Sequence, residues 1–419
     1  MNSKLSIDQA EAGSLPYTIV DGSITTPQGF RAAGLHCGLK KTTRNDIGAI
    51  CSDVPATAAA VYTTNAFQAA PLAVTRASIS AEGKLQAVVV NSGNANACTG
   101  KQGEADAYRM RAALAEQLGL APHLVAVAST GVIGENLKMT CVEHGIAELP
   151  AQLTKEREGA EQFSQAILTT DLVKKEVCVV INIDGKPVTI AGTAKGSGMI
   201  HPNMATMLAF VTTDAAVEQP ALQGLLKGTT DRTFNMITVD GDTSTNDMLL
   251  VMANGCAGNS VLNEQHAAWK AFAQAFYHVC EGLAKAIARD GEGATKLIEV
   301  RVTGASTDHS AHVIAKSVIG SSLVKSAVFG ADANWGRIIA AVGYSGEQVN
   351  VETVDIAVGP IEVLKQSTPI AFDEEEALAY LKGDTIVFHI NLNMAAGEAI
   401  AWGCDLTYDY VRINAAYRT

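Results

Sequence analysis

The sequence predicts a tightly packed α/β protein with many turns. Of its 419 residues, 47% are apolar, only 18% are charged, and 37 are glycines. Apolar runs of strand length alternate along the chain with segments of helical spacing. This composition disfavours a disordered or fibrous protein, and the length allows two or three domains.

The first half of the chain contains well-marked strand and helix signals. We predict short strands between Gly, Asn and Thr turns over the first 120 residues, most clearly in "KLQAVVVNSGNANACTG". The stretch "ADAYRMRAALAEQLGL" has helical spacing, and Gly119 is its expected stop. A buried strand over "LVAVAST" follows, then a helix over 155–168, and then a hairpin that turns at Asp184-Gly185.

The second half alternates in the same way. "MLAFVTTDA" and "MLLVMANG" indicate strands, and "ALQGLLKGTTDRTF" indicates a helix. Strands and helices alternate again from "TKLIEVRVTGAS" to "IVFHINLN", and a composition break near Asp290–Gly293 is the best candidate for a domain boundary. Residues 262–289 form the longest helical pattern, whose apolar stripe predicts core packing of Trp269, Phe272, Phe276, Val279 and Leu283.

The net charge and the pattern of cysteines argue against several classes of function. A formal net charge of −12 argues against nucleic acid or an anionic membrane as partner, since both require a basic surface. We find no signal peptide and no uncharged apolar run of membrane-spanning length. The eight cysteines are scattered without a C-x-x-C pair, which favours free thiols in a reducing cytoplasm and no metal site.

Several apparent motifs fail on inspection. "GTAKGSG" lacks the Gly-Lys-Ser/Thr ending of a phosphate-binding loop. "DGDTSTND" (240–247) suggests calcium, but its sixth position is Thr245 and its twelfth is Val251, where a calcium loop needs Gly and Glu. We interpret it as a hydrogen-bonded turn or as the lining of an active-site cleft.

Thr206 is the residue whose setting raises a chemical question. It follows the small Ala205, after a stretch in which Gly192, Gly196 and Gly198 permit unusual backbone angles. A hydroxyl aimed at the preceding carbonyl can attack it, shift the acyl group from nitrogen to oxygen, and leave an ester that water cleaves. The new N-terminal amine then acts as a base for its own hydroxyl. From the residues alone, a buried strand threonine remains the alternative.

A set of segments, taken together, resembles a known family over essentially the full chain. The segments occur in this order: "STGVIG" (129–134), "TTD" (169–171), "GTAKGSGMIHPNMATMLAF" (192–210), "DGDTSTND" (240–247), "DGEGATK" (290–296), "GADANWGRI" (330–338) and a tail ending in "NAAYRT" (414–419). The family they resemble is the glutamate N-acetyltransferase/ornithine acetyltransferase family of arginine biosynthesis. The segment before Thr206 and the Asn-Trp-Gly-Arg element are the most specific.

The resemblance implies a layered α/β sandwich, like that of self-processing aminopeptidases of the DmpA type, and a smaller C-terminal α/β domain. It implies a catalytic domain over 1–290, the smaller domain over 291–400, and a tail over 401–419 that returns to the active site. It also implies cleavage between Ala205 and Thr206. The resulting α chain (1–205) and β chain (206–419) are expected to stay together as an α2β2 heterotetramer.

The resemblance also implies a mechanism and a set of site residues. Thr206 is the expected nucleophile, which takes the acetyl group from N2-acetyl-L-ornithine and passes it to L-glutamate in a ping-pong reaction. The Thr130 hydroxyl and the Gly131 backbone N–H are the expected oxyanion hole. Supporting roles in the cleft are expected for Asp240, Asp242, Asn246 and Asp332, and His201 is an ordinary loop histidine or an aid to cleavage. The expected substrate contacts are Thr170, Lys195, Thr206, Glu292, Asn414 and Thr419.

Two alternatives remain at this stage. The first is a self-processing aminopeptidase or amidase of the same fold, which passes the acyl group to water. The second is an uncleaved chain that binds a metabolite without chemistry. No cofactor is expected, and whether acetyl-CoA also serves as a co-substrate is open.

Overall fold

The structure, a computed structural model, describes residues 15–201 and 207–416. The predicted α/β class is confirmed. The strands are β1 (Tyr17–Ile19), β2 (Phe30–Leu35), β3 (Ile47–Tyr62), β4 (Lys84–Asn94), β5 (Val125–Val132), β6 (Lys175–Ile183), β7 (Lys186–Lys195), β8 (Leu208–Thr213), β9 (Ile237–Thr238), β10 (Met248–Ala253), β11 (Leu297–Ala305), β12 (Asp355–Val358), β13 (Ile361–Lys365), β14 (Thr368–Pro369), β15 (Thr385–Asn391) and β16 (Gly397–Cys404). The helices are α1 (Ala70–Glu82), α2 (Gly100–Leu118), α3 (Met139–Gln152), α4 (Arg157–Ile167), α5 (Gln219–Arg232), α6 (Trp269–Arg289), α7 (Asp308–Gly320), α8 (Ser322–Phe329), α9 (Trp335–Gly343), α10 (Glu374–Leu381) and α11 (Tyr408–Ala416).

The first sheet forms two facing layers. Its strand order is β1-β6-β7-β8-β10-β3-β4-β5, and β2 also pairs with β3. The register of the long strand β3 against β4 shifts between Cys51 and Ala56, a β-bulge type of irregularity of the kind that bends a strand. One core cluster contains Ile50 from the first half of β3, Ala60 from its second half, and Phe210 from β8. The β4–β5 end of the sheet therefore packs against its β8–β10 end.

Helices cover the outer face of each layer. Alternate residues of β4 divide between two cores: Val88 faces β8 and β10, whereas Val89 packs with Met110 of α2 and other residues of α1–α3. On the opposite side, Leu283 of α6 and neighbouring residues of α5 cover β6–β8 and β10. The result is a helix–sheet–sheet–helix sandwich, as the resemblance implied.

The second sheet has the order β14-β13-β12-β15-β11-β16-β9, with α7 packed against β11 and β16. It contains β9, which precedes residue 290, and its core joins the core around α6 in one cluster. The division of the chain at residue 290 stays a prediction. None of the helices in the described ranges is long and apolar enough to cross a membrane.

Local turn signals were predicted correctly. Asp184 and Gly185 both have positive φ, 55° and 77°, which is the two-residue hairpin turn expected between β6 and β7. Gly119 ends α2 in the left-handed conformation, with φ of 65°. The apolar stripe of α6 is confirmed as core, although Trp269 at its start is only partly buried.

Three expectations about the elements need correction. The helix expected over 262–289 begins at Trp269, because Leu262 pairs with Val217 in a β-bridge and the intervening residues form turns. The first 120 residues are not only short strands: β3 has 16 residues, and α1 follows it. The third concerns the tail over 401–419, for which no helix was predicted: it contains the helix α11.

Candidate active site

The expected cleavage site, Ala205 and Thr206, lies outside the described residues, as does Thr419. The structure does describe both flanks of residues 202–206. On the C-terminal flank, Met207 is buried and its carbonyl accepts a hydrogen bond from Met248 N at 2.9 Å. A Cβ placed on Gly196 would lie 3.4 Å from the Cβ of Met207. The start of β8 therefore lies beside the end of β7, which carries Lys195.

Thr130 and Gly131 lie where β5 ends against β4. Gly131 has φ of 134°, and a Cβ at this position would lie 2.4 Å from the carbonyl carbon of Gly93. Only glycine fits this close approach of two backbones. Thr130 is 9% exposed, and it pairs in register with Ser92 of β4. The expected oxyanion-hole residues are thus fixed at the end of a buried parallel strand pair.

The 240–247 loop connects this strand end to β10. The Asn246 side-chain amide donates to Ser129 O at 2.8 Å and to Ala95 O at 2.5 Å, while its oxygen accepts from the Thr245 hydroxyl at 2.6 Å. These bonds hold the start of β10 against the end of β5 across the two facing layers. The loop is therefore a hydrogen-bonded turn, one of the two interpretations given above. It also joins the end of β5 to the start of β10.

A buried ion network joins the segments that carry Thr170, Lys195 and Glu292. The Lys175 ammonium donates to Asp171 Oδ1 at 2.7 Å and to Asp290 Oδ2 at 2.6 Å. Asp171 follows Thr170, and its carboxylate also accepts from the backbone N–H of Gly196, the residue after Lys195, at 2.6 Å. Asp290 lies two residues before Glu292. The buried Lys175, through Asp171 and Asp290, thus links the segments of all three expected substrate contacts.

The charge state of this network follows from its contacts. Burial raises the pKa of the Asp171 carboxyl, but the Lys195 and Lys175 ammonium groups and the Gly196 N–H outweigh burial and hold that pKa below its usual range. Lys40 lies in the same electrostatic environment and donates to Leu168 O at 2.8 Å. Burial lowers the pKa of this Lys40 ammonium group to about 8. Because its own pKa is held low, Asp171 is an ionised carboxylate, and it is paired with Lys175 and the Gly196 N–H.

Glu292 and Asn414, two of the expected substrate contacts, lie in direct contact. The Asn414 side-chain amide donates to Glu292 Oε2 at 2.8 Å, and Glu292 is only 6% exposed. The carboxylate lies over Gly198, where a Cβ would come 2.4 Å from its Cδ. Gly293 packs so closely on α11 that a Cβ there would lie 2.7 Å from Tyr410 N. The C-terminal helix is therefore docked on the "DGEG" loop.

His201, on the N-terminal flank of residues 202–206, is tied to the second sheet. Its Nδ1 lies 3.0 Å from the Thr238 hydroxyl, and its carbonyl accepts from the Thr243 hydroxyl at 2.8 Å. Burial, and then the charge of Lys316, lower the pKa of His201 to about 4. The imidazole is therefore neutral near pH 7.

Asp240 is the other acidic group on this flank. Its carboxylate accepts hydrogen bonds from the backbone N–H groups of Met199 and Ile200, at 2.7 and 2.9 Å. Burial, and then the charge of Asp240 and a hydrogen bond to it, raise the pKa of the Tyr410 phenol, so this phenol stays protonated. Asp240 thus contacts both the segment before residue 202 and the helix α11.

Sequence reasoning missed some of these residues. Asp171 and Asp290 were inside recognised segments but were not singled out, although their neighbours were. Lys175 carried no signal, because nothing local marks a lysine that will be fully buried. Of the weaker candidates, Asp240 and Asn246 bind the backbone around the site, whereas Asp242 and Asp332 are exposed. No metal-binding cluster of His, Cys, Asp or Glu occurs within residues 15–201 and 207–416.

An open cavity of about 640 Å³ lies elsewhere, on the second sheet. None of the expected site residues within the described ranges lines it. The charges that line it are paired with one another, for example Arg301 with Glu299 at 2.6 Å and Lys365 with Asp355 at 3.1 Å. Its position and its paired charges make it a poor candidate for the acetyl-transfer site.

Comparisons with known proteins point to one family over most of the chain. The ArgJ family matches residues 31–419. The "Arginine biosynthesis bifunctional protein ArgJ" of Geobacillus kaustophilus (strain HTA426) is 60% identical over 401 residues, which make up 96% of this chain and 97% of that protein. The protein of the same name from Bacillus subtilis (strain 168) is 56% identical over 401 residues, or 96% and 97% of the two chains. A crystal structure of the arginine biosynthesis bifunctional protein argJ from Bacillus halodurans is 61% identical and covers 50% of this chain and 98% of that chain, with a TM-score of 0.49.

Proposed function

The chain belongs to the ArgJ family, and from this premise we propose that it transfers acetyl from N2-acetyl-L-ornithine to L-glutamate in arginine biosynthesis. The observation that carries the proposal is the buried network of Asp171, Lys175 and Asp290. This network links the segments that carry Thr170, Lys195 and Glu292, beside the start of β8. Strand β8 begins at Leu208, shortly after the proposed nucleophile in the chain.

The first step is activation of the precursor. The Thr206 hydroxyl attacks the carbonyl carbon of Ala205, the peptide C–N bond breaks, and water cleaves the resulting ester. The products are an α chain ending at Ala205 and a β chain beginning with the free amine of Thr206. An α-amine has an ordinary pKa of about 7.7–8, so near neutral pH it accepts the proton of its own hydroxyl.

The second step is acetyl transfer. Thr206 Oγ attacks the acetyl carbonyl of acetylornithine, the amide C–N bond breaks, and ornithine leaves with the proton that the amine of Thr206 had taken. The amine of glutamate then attacks the acetyl-threonine ester, the ester C–O bond breaks, and the proton of the attacking amine passes through the Thr206 amine to the Thr206 oxygen. The Thr130 hydroxyl and Gly131 N–H donate to the oxyanion in both halves of the reaction. Removing one such donor typically slows a reaction by about 10²–10³-fold.

The remaining site residues bind the substrates. Lys195 and the Thr170 hydroxyl hold the α-carboxylate, which is common to ornithine and glutamate. Glu292 pairs with the side-chain ammonium of ornithine, and Asn414 orients the Glu292 carboxylate through their 2.8 Å hydrogen bond. Thr419, at the end of the same tail as Asn414, completes the substrate contacts.

The proposal extends to the donor, the assembly and the compartment. No cofactor is required, and acetyl-CoA serves as a second acetyl donor, in keeping with the "bifunctional" names of the relatives. The α and β chains stay together as an α2β2 heterotetramer. The reaction takes place in the cytoplasm, whose reducing conditions suit the eight free cysteines.

Intact-mass spectrometry tests the activation step. We expect two polypeptides separated at Ala205/Thr206, and native mass spectrometry should show two copies of each in one assembly. Thr206→Ala should remain one full-length chain without transfer activity. Thr206→Ser is the matched control, since it keeps a hydroxyl nucleophile and should still be processed.

An assay with acetylornithine and glutamate, with and without acetyl-CoA, tests the reaction. Acetylglutamate should form from either donor and only with the processed protein. If acetate is released from acetylornithine without glutamate at the rate of transfer, the enzyme is a hydrolase instead. Full transfer by Thr206→Ala would exclude the proposed mechanism.

A further inference from the structure

Lys40 is a half-buried cation in the loop between β2 and β3, and its own loop holds it in place. The buried Asp46 carboxylate accepts the backbone N–H of Lys40 at 2.9 Å, and those of Cys37 and Leu39 at 2.7 and 2.8 Å. The Lys40 ammonium group donates to Asn45 O at 2.8 Å. Both the backbone and the side chain of this lysine are therefore fixed within the loop.

The stem of the Lys40 side chain lies near the expected oxyanion hole. A Cβ placed on Gly93, at the end of β4, would come 3.2 Å from the Lys40 Cγ. Gly93 pairs with Gly131 in the register of β4 and β5. The lysine stem is therefore close to the strand residue that lies directly beside Gly131.

The ammonium group at the end of the stem reaches the segment that carries Thr170. Its Nζ donates to Leu168 O at 2.8 Å. The charges of Asp171 and Lys195 act on the Lys40 ammonium group, and with a pKa of about 8 this group is mainly protonated at pH 7. Lys40 thus joins two parts of the candidate site, the end of the β4–β5 pair and the segment after α4.

The bond to Leu168 differs from a simple cap of α4. Leu168 follows the last residue of the helix, and a cation is favourable at that end. A second hydrogen bond already holds the helix end, because the Ser92 hydroxyl donates to Ala166 O at 2.5 Å. The Lys40 bond lies beyond the helix, two residues before Thr170, so it acts on the course of the chain toward that residue.

We propose that Lys40 is a positioning residue for acetyl transfer, holding Leu168 so that Thr170 stays near the oxyanion-hole strands while it binds the substrate α-carboxylate. This proposal rests on the proposed function, because it concerns the binding role given there to Thr170. Lys40 acts through the backbone and touches no substrate. Since acetylornithine and glutamate share the α-carboxylate, loss of the Lys40 ammonium group should weaken the binding of both substrates and leave the chemical step unchanged.

Hydrogen exchange tests the positioning, whether or not the protein transfers acetyl. The variant is Lys40→Met, which keeps an apolar stem near Gly93 and removes the ammonium group, and the control is Lys41→Met at the exposed next residue of the loop. We expect the amides of residues 169–172 to exchange about tenfold faster in Lys40→Met than in the control, the loss expected for one charge-assisted bond. Exchange within α4 should stay within about twofold, because the Ser92 bond remains.

Three outcomes of this measurement would overturn the proposal. Equal exchange at residues 169–172 in the two variants would show that Lys40 does not hold the segment. A change confined to α4 would make Lys40 a helix cap only. Faster exchange throughout the chain would show a general loss of structure.

Steady-state kinetics of the processed enzyme tests the consequence. In Lys40→Met, KM for acetylornithine and KM for glutamate should both rise about tenfold relative to Lys41→Met, whereas kcat should stay within about twofold. A fall in kcat without a change in KM, a rise in KM for one substrate only, or unchanged constants would contradict the assignment. A wild-type chain that transfers no acetyl would instead remove the proposed function, while the exchange result still decides whether Lys40 holds the segment.

Discussion

At the scale of single residues, individual hydrogen bonds orient the functional side chains of the candidate site. Glu292 is buried, and its carboxylate accepts a hydrogen bond from the side-chain amide of Asn414 in the C-terminal helix. A buried carboxylate with fewer donors is less well oriented toward a cationic ligand. The end of the chain therefore has a direct effect on a residue that is far from it in sequence.

Asn414→Ala should raise KM for acetylornithine by about tenfold, because a hydrogen bond to a charged group is typically worth about 1.5 kcal/mol or more. Precursor cleavage should be unaffected, since the lost bond joins Asn414 to Glu292, a proposed substrate contact. Steady-state kinetics of the processed enzyme measures the effect. Arg412→Ala, which removes an exposed ion pair with Asp409 in the same helix, is the control and should leave KM unchanged. An equal KM in the two variants would separate Asn414 from substrate binding.

Gly131→Ala should lower the free energy of unfolding by about 3 kcal/mol. The new Cβ would meet the Gly93 carbonyl carbon at 2.4 Å and would also force an alanine to φ of 134°. Gly134→Ala is the matched control: its φ is 83°, but nothing lies within 4 Å of the added Cβ, so only the backbone cost of about 1 kcal/mol applies. Urea unfolding measures both values. Equal losses in the two variants would show that the contact with β4 is not as tight as described.

At the scale of elements, some features followed from local signals and others did not. The hairpin at Asp184-Gly185 and the end of α2 at Gly119 are set by backbone conformations that few residues adopt, so the sequence marks them. The start of α6 was misplaced because Leu262 pairs with Val217, a contact with a distant strand segment that no local periodicity reveals. The bend of β3, which brings the two sheet layers together, is likewise a tertiary feature.

The site shows the same division. The resemblance supplied Thr170, Lys195, Glu292 and Asn414 as members, and the structure brings the segments of these four together. The resemblance did not supply the contacts that hold these segments together. One of them, between Lys175 and Asp290, joins residues 115 positions apart, and no local pattern marks such a pair. The residues at the centre of the chemistry, Ala205 and Thr206, lie outside the described structure, so their roles stay predictions.

The segment around His201 should make stability depend on pH. In the folded protein the pKa of His201 is lowered to about 4, mainly by burial, whereas an unfolded histidine titrates near its ordinary value of about 6.5. Below that value the unfolded chain takes up a proton that the folded chain does not, so stability is lost as the pH falls from about 6.5 to about 4. His201→Gln should lose less stability between pH 7.5 and pH 4.5 than the wild type in urea unfolding. Parallel pH profiles for the two proteins would show that His201 does not contribute.

At the scale of the whole molecule, the active-site region is assembled where separate parts of the chain converge. The end of β7, the loop before β6, the end of α6 and the C-terminal helix all meet around the Asp171–Lys175–Asp290 network. Helix α6 also connects the cores of the two sheets in one cluster. A change in this network should therefore affect global stability as well as the site, whereas a half-exposed ion pair in the second sheet should affect neither.

Lys175→Met should destabilise the protein by about 3–5 kcal/mol, the cost of leaving buried carboxylates without their partner. Lys175 is fully buried and Asp171 and Asp290 are almost so, hence water cannot replace the lost ammonium group. Urea unfolding measures the loss. Lys365→Met, which removes a half-exposed ammonium group paired with Asp355 and Glu362 in the second sheet, is the control with little expected change. Because the network also places Thr170, Lys195 and Glu292, the variant should show a raised KM for acetylornithine in whatever fraction remains folded. A stability within about 1 kcal/mol of the control, together with an unchanged KM, would mean that the convergence of these segments is maintained by apolar packing and not by the buried charges.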